Sequence, residues 1–483
     1  MARKLYNKYQ NLNILVKATI WFTVAMVVQK SINFITMPIF TRIMSPSDYG
    51  LFTMYNSWLN IFLILTTLKL DASVFNKSMF KYEKERNGFV ATIQLETTIL
   101  AIIFIVLYLL FYNFFSGITE LPLVLAILLF SQLIVQPAYN FWILRERYEY
   151  HYIKFLLVVL LTCFLNVAFG IGAVLIFSEN KGIARIISYV LINLIFGIVI
   201  YIYNMKKGIK EMKKEYAIYA TKFNLPLLPH YISQYILDQL DRIMIQKIIN
   251  TAAVAIYNSA YNISMVFKIF TDSLISAITP WYYEQLKNKK YEKISKLFNS
   301  IFFPCLIIIV LFSLLAPEII KILLPVEYYN SIYIIPPVSM SILFLLMYSS
   351  YSLIEFYFDA NKFSMIASMI GALLNFILNY IFIKKYGYLA AGWTTMVCYL
   401  LFAIAHFYYS KHIFFKNTKK YLFDDKYIFK ISLIIIISSI VIIFTYKYLI
   451  LRIILMIIML LVLYINRKYF FNIFNKIVSK EIK

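Results

Sequence analysis

FTRIMSPSDYGLF, residues 40–52, is the most polar interruption in the first seventy residues of a strongly apolar chain. It reads as a tight hairpin between two helices. Ser45 is placed to cap the second helix, and Pro46 suits its first turn, where the missing N–H would have no partner in any case. Asp48 stands three residues after Ser45, the spacing of a capping box. Gly50 then removes a side chain where two helices approach closely.

On both sides of this hairpin the chain is apolar. Of its 483 residues, 62% are hydrophobic and 14% charged, against roughly 45–50% and about 25% in soluble domains. Apolar runs recur at the length a helix needs to cross a ~30 Å hydrocarbon core. They fall at about 14–39, 51–71, 90–112, 122–143, 155–177, 184–204, 223–248, 253–275, 298–316, 332–356, 364–383, 389–410, 429–447 and 451–466. The first run continues past signal-peptide length with no small-residue cleavage site, so the first helix is expected to stay. Cys163, Cys305 and Cys398 lie within apolar runs, where a thiol acts as a small hydrophobe, and imply neither disulfide nor metal site.

The formal net charge of +24 is concentrated in alternate connections, which points to membrane topology rather than nucleic acid. Thirty-four Lys and Arg fall on the side of the N-terminal tail and nine on the other. The positive-inside rule then places both termini in the cytoplasm and supports an even number of spans. No connection on the outer side is long. The largest, about 317–331, has room for a short interfacial helix and none for a catalytic domain.

A shift of 205 residues lays residues 40–52 over IQKIINTAAVAIY at 245–257. Arg42 then falls on Lys247, Gln29 on Gln234, Asn33 on Asp238, Thr36 on Asp241 and Gly182 on Gly387. Polar positions recur at i, i+4 and i+7, one helix face, in both copies. Two six-helix halves related by an axis along the membrane normal would follow. The expected division is 1–205, a basic linker at 206–222, 223–411, and an extra helix pair with a basic tail at 412–483.

TRIMSPSDYGLF at 41–52 resembles the start of the polysaccharide-export families of the multidrug/oligosaccharidyl-lipid/polysaccharide (MOP) superfamily, which include Wzx-type O-antigen and capsule flippases. KKYGYLAAGWTTMVCY at 384–399 looks like the Gly- and Ala-rich start of their twelfth span. The resemblance implies an all-α integral membrane protein of about fourteen transmembrane helices, two pseudo-symmetric six-helix bundles around a central cavity plus a C-terminal helix pair. It also implies a flippase in the bacterial cytoplasmic membrane. Such a protein carries undecaprenyl-diphosphate-linked oligosaccharide to the outer leaflet by alternating access, with membrane lipids and polysaccharide polymerase machinery as partners and no nucleic acid.

Charges within spans cost roughly 2.5–3.5 kcal/mol each on insertion scales and so need a partner or a task. Lys30, Arg242 and Lys268 are expected to make the cavity cationic and to neutralise a diphosphate, with Gln29, Asn33 and Gln234 on its polar face. Arg42 and Lys247 near the outer rim would guide the released headgroup or anchor lipid. Asp238, Asp241 and His230 would tune the field and respond to a coupling ion, H+ or Na+; no cofactor is implied. The competing reading is structural: Asp238 pairs with Arg242, and Lys268 with Asp272, at i, i+4. Lys69 and Asp71 are expected to snorkel, Glu96, Glu355 and Asp359 to be solvated, and His151, His406 and His412 to lie at cytoplasmic ends. Pro226 and Pro229 are expected to bend span seven.

No nucleophile constellation, phosphate loop or metal-ligand spacing appears. A cation-coupled drug exporter would be expected to carry a carboxylate deep in span one, where this chain has Lys30. A peptidoglycan-precursor flippase shares the need for a cationic cavity and stays open as an alternative. A membrane polymerase or ligase would need longer outer loops.

Overall fold

The computed structural model describes residues 13–360 and 362–467, apart from the side chains of Leu15, Lys30 and Asn33. Those residues contain no β-strand and are almost entirely helical. They form two compact units that divide between Ile232 and Ser233. The first unit contains α1 (Ile14–Ile43), α2 (Pro46–Thr67), the short α3 (Ser73–Lys81), α4 (Arg86–Leu110), the short α5 (Tyr112–Thr119), α6 (Leu123–Tyr148), α7 (Tyr152–Ile176), α8 (Lys181–Gly208) and α9 (Lys214–Asn224). The division falls inside α10 (Leu228–Ile248). The second unit continues with α11 (Thr251–Ser264), α12 (Val266–Lys287), α13 (Tyr291–Leu314), the short α14 (Ala316–Leu323), α15 (Ile335–Tyr357), α16 (Lys362–Tyr386), α17 (Ala390–Thr418), α18 (Asp425–Thr445) and α19 (Leu449–Ile465).

Every expected span falls on helical residues, although span seven crosses a 3-10 turn and span eight, 253–275, is divided between α11 and α12 at Met265. Among the described residues, eleven helical stretches are long and apolar enough to cross a membrane. The other three expected spans fall on α2, α10 and α19. The first two carry too many polar side chains to reach that mark, and α19, though apolar, has 17 residues. In α2, Asn56 and Asn60 turn their amides back onto the carbonyls of Phe52 and Asn56, at 2.9 and 2.8 Å. Such back-bonding keeps a polar helix satisfied without a partner.

The hairpin at 40–52 folds as its sequence requires. Ser45 is the N-cap, its Oγ accepting from the Asp48 amide at 3.1 Å, with Pro46 at N1. Asp48 does not complete the box by reaching back to the Ser45 amide. Its Oδ2 instead accepts from Ser45 Oγ at 2.6 Å, and its Oδ1 from the Gly182 amide at 2.9 Å. A Cβ on Gly182 would lie 2.9 Å from the Asp48 carbonyl oxygen, so only glycine lets α8 start this close to α2. The same cap recurs 205 residues on, where Asn250 accepts from the Ala253 amide at 2.8 Å and α11 begins at Thr251. The offset persists: α4 starts at Arg86 and α13 at Tyr291, each followed by a short helix, α5 or α14. The outer connection expected to hold an interfacial helix holds α14, followed by a 3-10 stretch, Val326–Ile334.

Span seven, expected as one bent helix, is broken. Residues 206–222, read as a linker, are helical over most of their length: the end of α8, a 3-10 turn at Ile209–Glu211, and α9. Pro226 lies in a second 3-10 turn, Leu225–Leu227, and Pro229 in the first turn of α10, where its missing donor costs little. Asn224 secures the break, its amide donating to the carbonyls of Leu68 and Lys69 at 2.6 Å each.

With lipid outside, close packing and polar contacts, rather than burial from water, hold such helices together. In unit 1, Asn204 donates to Gln94 Oε1 at 2.9 Å and to the Ala138 carbonyl at 3.1 Å, tying α8 to α4 and α6. In unit 2, α15 runs at the centre of the core and is buried along most of its length. Gly392, in the Gly- and Ala-rich stretch at the start of α17, leaves 3.3 Å between a would-be Cβ and Pro337, so α17 lies directly on α15.

Candidate functional site

Unit 2 gathers four of the expected charged residues into one cluster. On α10, Asp238, Asp241 and Arg242 follow at i, i+3 and i+4, and α11, α12 and α17 supply the rest. Arg242 is 2% exposed and Asp241 1%. The Arg242 guanidinium donates from Nε to Asn258 Oδ1 at 2.9 Å and from Nη1 to the Asp238 carbonyl at 2.5 Å. It lies 4.1 Å above the Tyr261 ring. Its ion partner is Asp241, at 3.6 Å, and not the i−4 carboxylate. Asp241 Oδ2 accepts the Tyr257 hydroxyl, while Oδ1 faces the guanidinium without a hydrogen bond.

The Asp238 carboxylate, freed from that role, turns outward. It accepts the Tyr399 hydroxyl at 3.2 Å through Oδ1 and meets Lys268 Nζ at 3.7 Å through Oδ2. Both side chains are partly exposed, Lys268 at 36% and Asp238 at 41%. The cluster has two layers. A buried Asp241–Arg242 pair, sealed by Tyr257 and Tyr261, sits beneath a loosely held, accessible Asp238–Lys268 pair. With two carboxylates and two cations the set is neutral. An anion arriving at Lys268 competes only with a 3.7 Å contact, whereas one arriving at Arg242 must displace its buried partners. Below the cluster, Asn379 donates to Asn375 at 3.1 Å and accepts from Thr394, an entirely buried amide–hydroxyl chain between α16 and α17.

The remaining expected residues stand elsewhere on α10 or on α1. Gln234 and Lys247 are exposed on α10, and His230 is half-buried beside Tyr231. Gln29 is exposed on α1, and Arg42 donates to the Pro38 carbonyl of its own helix at 3.1 Å. The side chains of Lys30 and Asn33 lie outside the described residues, as do Arg3, Lys4 and Lys8 of the N-terminal tail and the basic residues from Lys468 onward.

Several expectations are corrected. Lys268 meets Asp238, whereas the i, i+4 reading pairs it with Asp272. Glu355 and His406, expected to be solvated or terminal, are both fully buried. His406 Nδ1 lies 2.8 Å from Glu355 Oε1, and Ser364 donates to Oε2 at 2.9 Å. Glu96 is half-buried and accepts from Thr221. Arg185, one of the nine Lys and Arg that the charge count puts on the side opposite the N-terminal tail, is 7% exposed with its guanidinium 4.4 Å over Phe40 and 4.6 Å over Phe52. The chain also brings together donor atoms of Glu146, Glu149 and His151 within 4.8 Å, a group no sequence spacing had marked. There the Arg145 guanidinium, 3.2 Å from Glu146, already supplies the positive charge.

A family model described as polysaccharide biosynthesis protein matches residues 15–286. The chain belongs to that family. A Haemophilus influenzae relative, Lsg locus putative protein 1, is 25% identical over 286 residues, covering 57% of this chain and 67% of its own length. Among solved structures, the lipid II flippase MurJ in an inward closed conformation superposes with a TM-score of 0.65 at 15% identity, over 93% of this chain and 100% of its own. An inward-facing multidrug resistance MATE family transporter of the MOP superfamily gives 0.62 at 13% identity, over 83% and 100%. At those identities the likeness establishes the fold alone, and the family match spans residues 41–52, the first of the two stretches that carried the resemblance.

Proposed function

We propose that this polysaccharide biosynthesis protein is a flippase that moves undecaprenyl-diphosphate-linked oligosaccharide repeat units from the cytoplasmic to the outer leaflet of a bacterial cytoplasmic membrane by alternating access, with both termini in the cytoplasm. The repeat units would feed surface-polysaccharide assembly of the O-antigen or capsule kind, next to polymerase machinery. The observation that carries the reading is the two-layered cluster of unit 2, in which Lys268 offers an accessible ammonium and Asp238 a carboxylate that can release it.

In this reading the diphosphate engages Lys268, with Lys30 and the rim cations Arg42 and Lys247 as further contacts, and Gln29, Asn33 and Gln234 hydrogen-bond the sugars. Arg242 acts from beneath: buried and fully engaged, it fixes Asp241 and, through its bond to the Asp238 carbonyl, the turn that presents the Asp238 carboxylate. Protonation or Na+ binding at Asp238 or Asp241, or protonation of His230 on the same helix, would shift the balance between holding and releasing the anion. The test is binding of undecaprenyl-diphosphate oligosaccharide to the purified protein. Lys268→Ala is expected to weaken binding at least five-fold, with little effect on binding of an uncharged polyprenyl alcohol. Equal affinity of Lys268→Ala and wild type for the diphosphate would refute the assignment.

A further inference from the structure

Where the basic stretch between α8 and α10 meets the apolar face of α4, unit 1 holds a cleft of about 340 Å³, at the lower end of the range for small-ligand sites. Leu95 and Ile99 line it from α4, Met212 and Ala217 from the opposite wall. Leu95 and Ile99 are 37% and 49% exposed, and Ile102, Ile103 and Val106 continue the same bare apolar strip along α4. The cleft therefore opens toward lipid rather than toward the protein core.

Two lysines, Lys213 and Lys214, line it. Lys213 is engaged with Glu85 at 2.7 Å. Lys214, also lining the cleft, is exposed. At the inner end, Glu96 accepts from Thr221 through Oε1, while its Oε2 is buried with no hydrogen-bond partner. An apolar trough with an ammonium at its mouth and an unmet acceptor inside matches one kind of molecule: a phospholipid whose headgroup has net negative charge and a hydroxyl to donate.

We infer that the cleft is a binding site for phosphatidylglycerol. An acyl chain lies between α4 and α9 along Leu95 and Ile99, the phosphate sits beside Lys214, and a glycerol hydroxyl donates to Glu96 Oε2. Phosphatidylethanolamine brings no net charge to Lys214. The site is independent of what the protein transports. Its consequence is mechanical: the lipid bridges α4 and α9, the helix whose end at Asn224 is tied to Leu68 and Lys69 and which leads through the 3-10 turn Leu225–Leu227 into α10.

The test uses the full chain in nanodiscs of phosphatidylcholine, phosphatidylethanolamine and phosphatidylglycerol in equal parts, with retained lipid counted by native mass spectrometry. Wild type is expected to retain phosphatidylglycerol in preference to the other two. Lys214→Ala should lower that retention about five-fold, the worth of one basic residue near an anionic surface, and Lys214→Arg should restore it. Ala217→Trp, which fills the trough, should abolish retention, whereas Lys426→Ala on α18 should leave it unchanged. Retention of phosphatidylglycerol unaffected by both Lys214→Ala and Ala217→Trp, or equal retention of phosphatidylethanolamine and phosphatidylglycerol by wild type, overturns the assignment.

Discussion

Replacing Arg242 with Met removes the cation at the base of the unit 2 cluster, and the structure sets the size of the effect. The guanidinium is 2% exposed and gives up hydrogen bonds to Asn258 at 2.9 Å and to the Asp238 carbonyl at 2.5 Å, together with a face-on contact to Tyr261 at 4.1 Å. What remains is Asp241, 1% exposed, with Tyr257 as its hydrogen-bond donor and no counter-charge within ion-pair distance among the described residues. Breaking a buried pair on one side costs about 3–5 kcal/mol, because a charge is left uncompensated. At roughly 2–4 °C per kcal/mol for a unit of this size, the midpoint should fall by about 6–20 °C. The assay is thermal unfolding of the detergent-solubilised full chain. The double variant Asp241→Asn/Arg242→Met buries no charge, and it should be more stable than Arg242→Met alone despite carrying one more substitution. A double variant whose loss equals the sum of the two single losses would refute the pairing, and with it the view of Arg242 as a buried support.

The repeated hairpin makes a paired prediction: Ser45→Ala and Asn250→Ala should each cost about 0.5–2 kcal/mol by removing an N-cap, measured by thermal unfolding, and additively because the caps are in different units. Gly182→Ala forces a Cβ to 2.9 Å from the Asp48 carbonyl oxygen and should cost roughly 1–3 kcal/mol, while Gly117→Ala, with open space around it, should be close to neutral in the same assay. The Lys213 ammonium is raised above its usual range by its hydrogen bonds to Glu85 and then Tyr216. A raised base stabilises the fold below its unfolded pKa of about 10.4, and the contribution is lost as pH climbs through the folded value. A spin label on α9 should therefore gain mobility in strongly alkaline buffer, and Lys213→Gln should remove that step.

The helices were legible because each states itself locally. Apolar length, a capping serine, a proline at N1 and a glycine at a close approach are properties of neighbouring residues, and they located the hairpin at 40–52 and its copy 205 residues on. The pairing of charges was not legible to the same degree. Spacing put Arg242 opposite Asp238, but the guanidinium is drawn toward Asp241 and Asn258 by α11, whose Tyr257 and Tyr261 close over it. Nothing in the sequence around Glu355 announces His406, 51 residues away on α17. Arg185 looked like a loop cation because it stands near the start of a span, and only the convergence of Phe40 and Phe52 on it marks it as buried. Span seven looked continuous because its prolines sit in an apolar run, whereas a proline at the first turn of α10 is a start signal as well as a bend.

The measurement that bears most directly on the central claim is headgroup translocation in proteoliposomes. Undecaprenyl-diphosphate oligosaccharide labelled on its sugar would be compared with lipid II and with a cationic dye, for wild type and for folded Lys268→Ala and Lys30→Ala variants. The account predicts that wild type moves the labelled oligosaccharide across the bilayer and that both variants lose most of that transport. Efflux of the dye without movement of any polyprenyl-diphosphate sugar would contradict it and place the protein among drug exporters. Selective movement of lipid II would make it a peptidoglycan-precursor flippase instead.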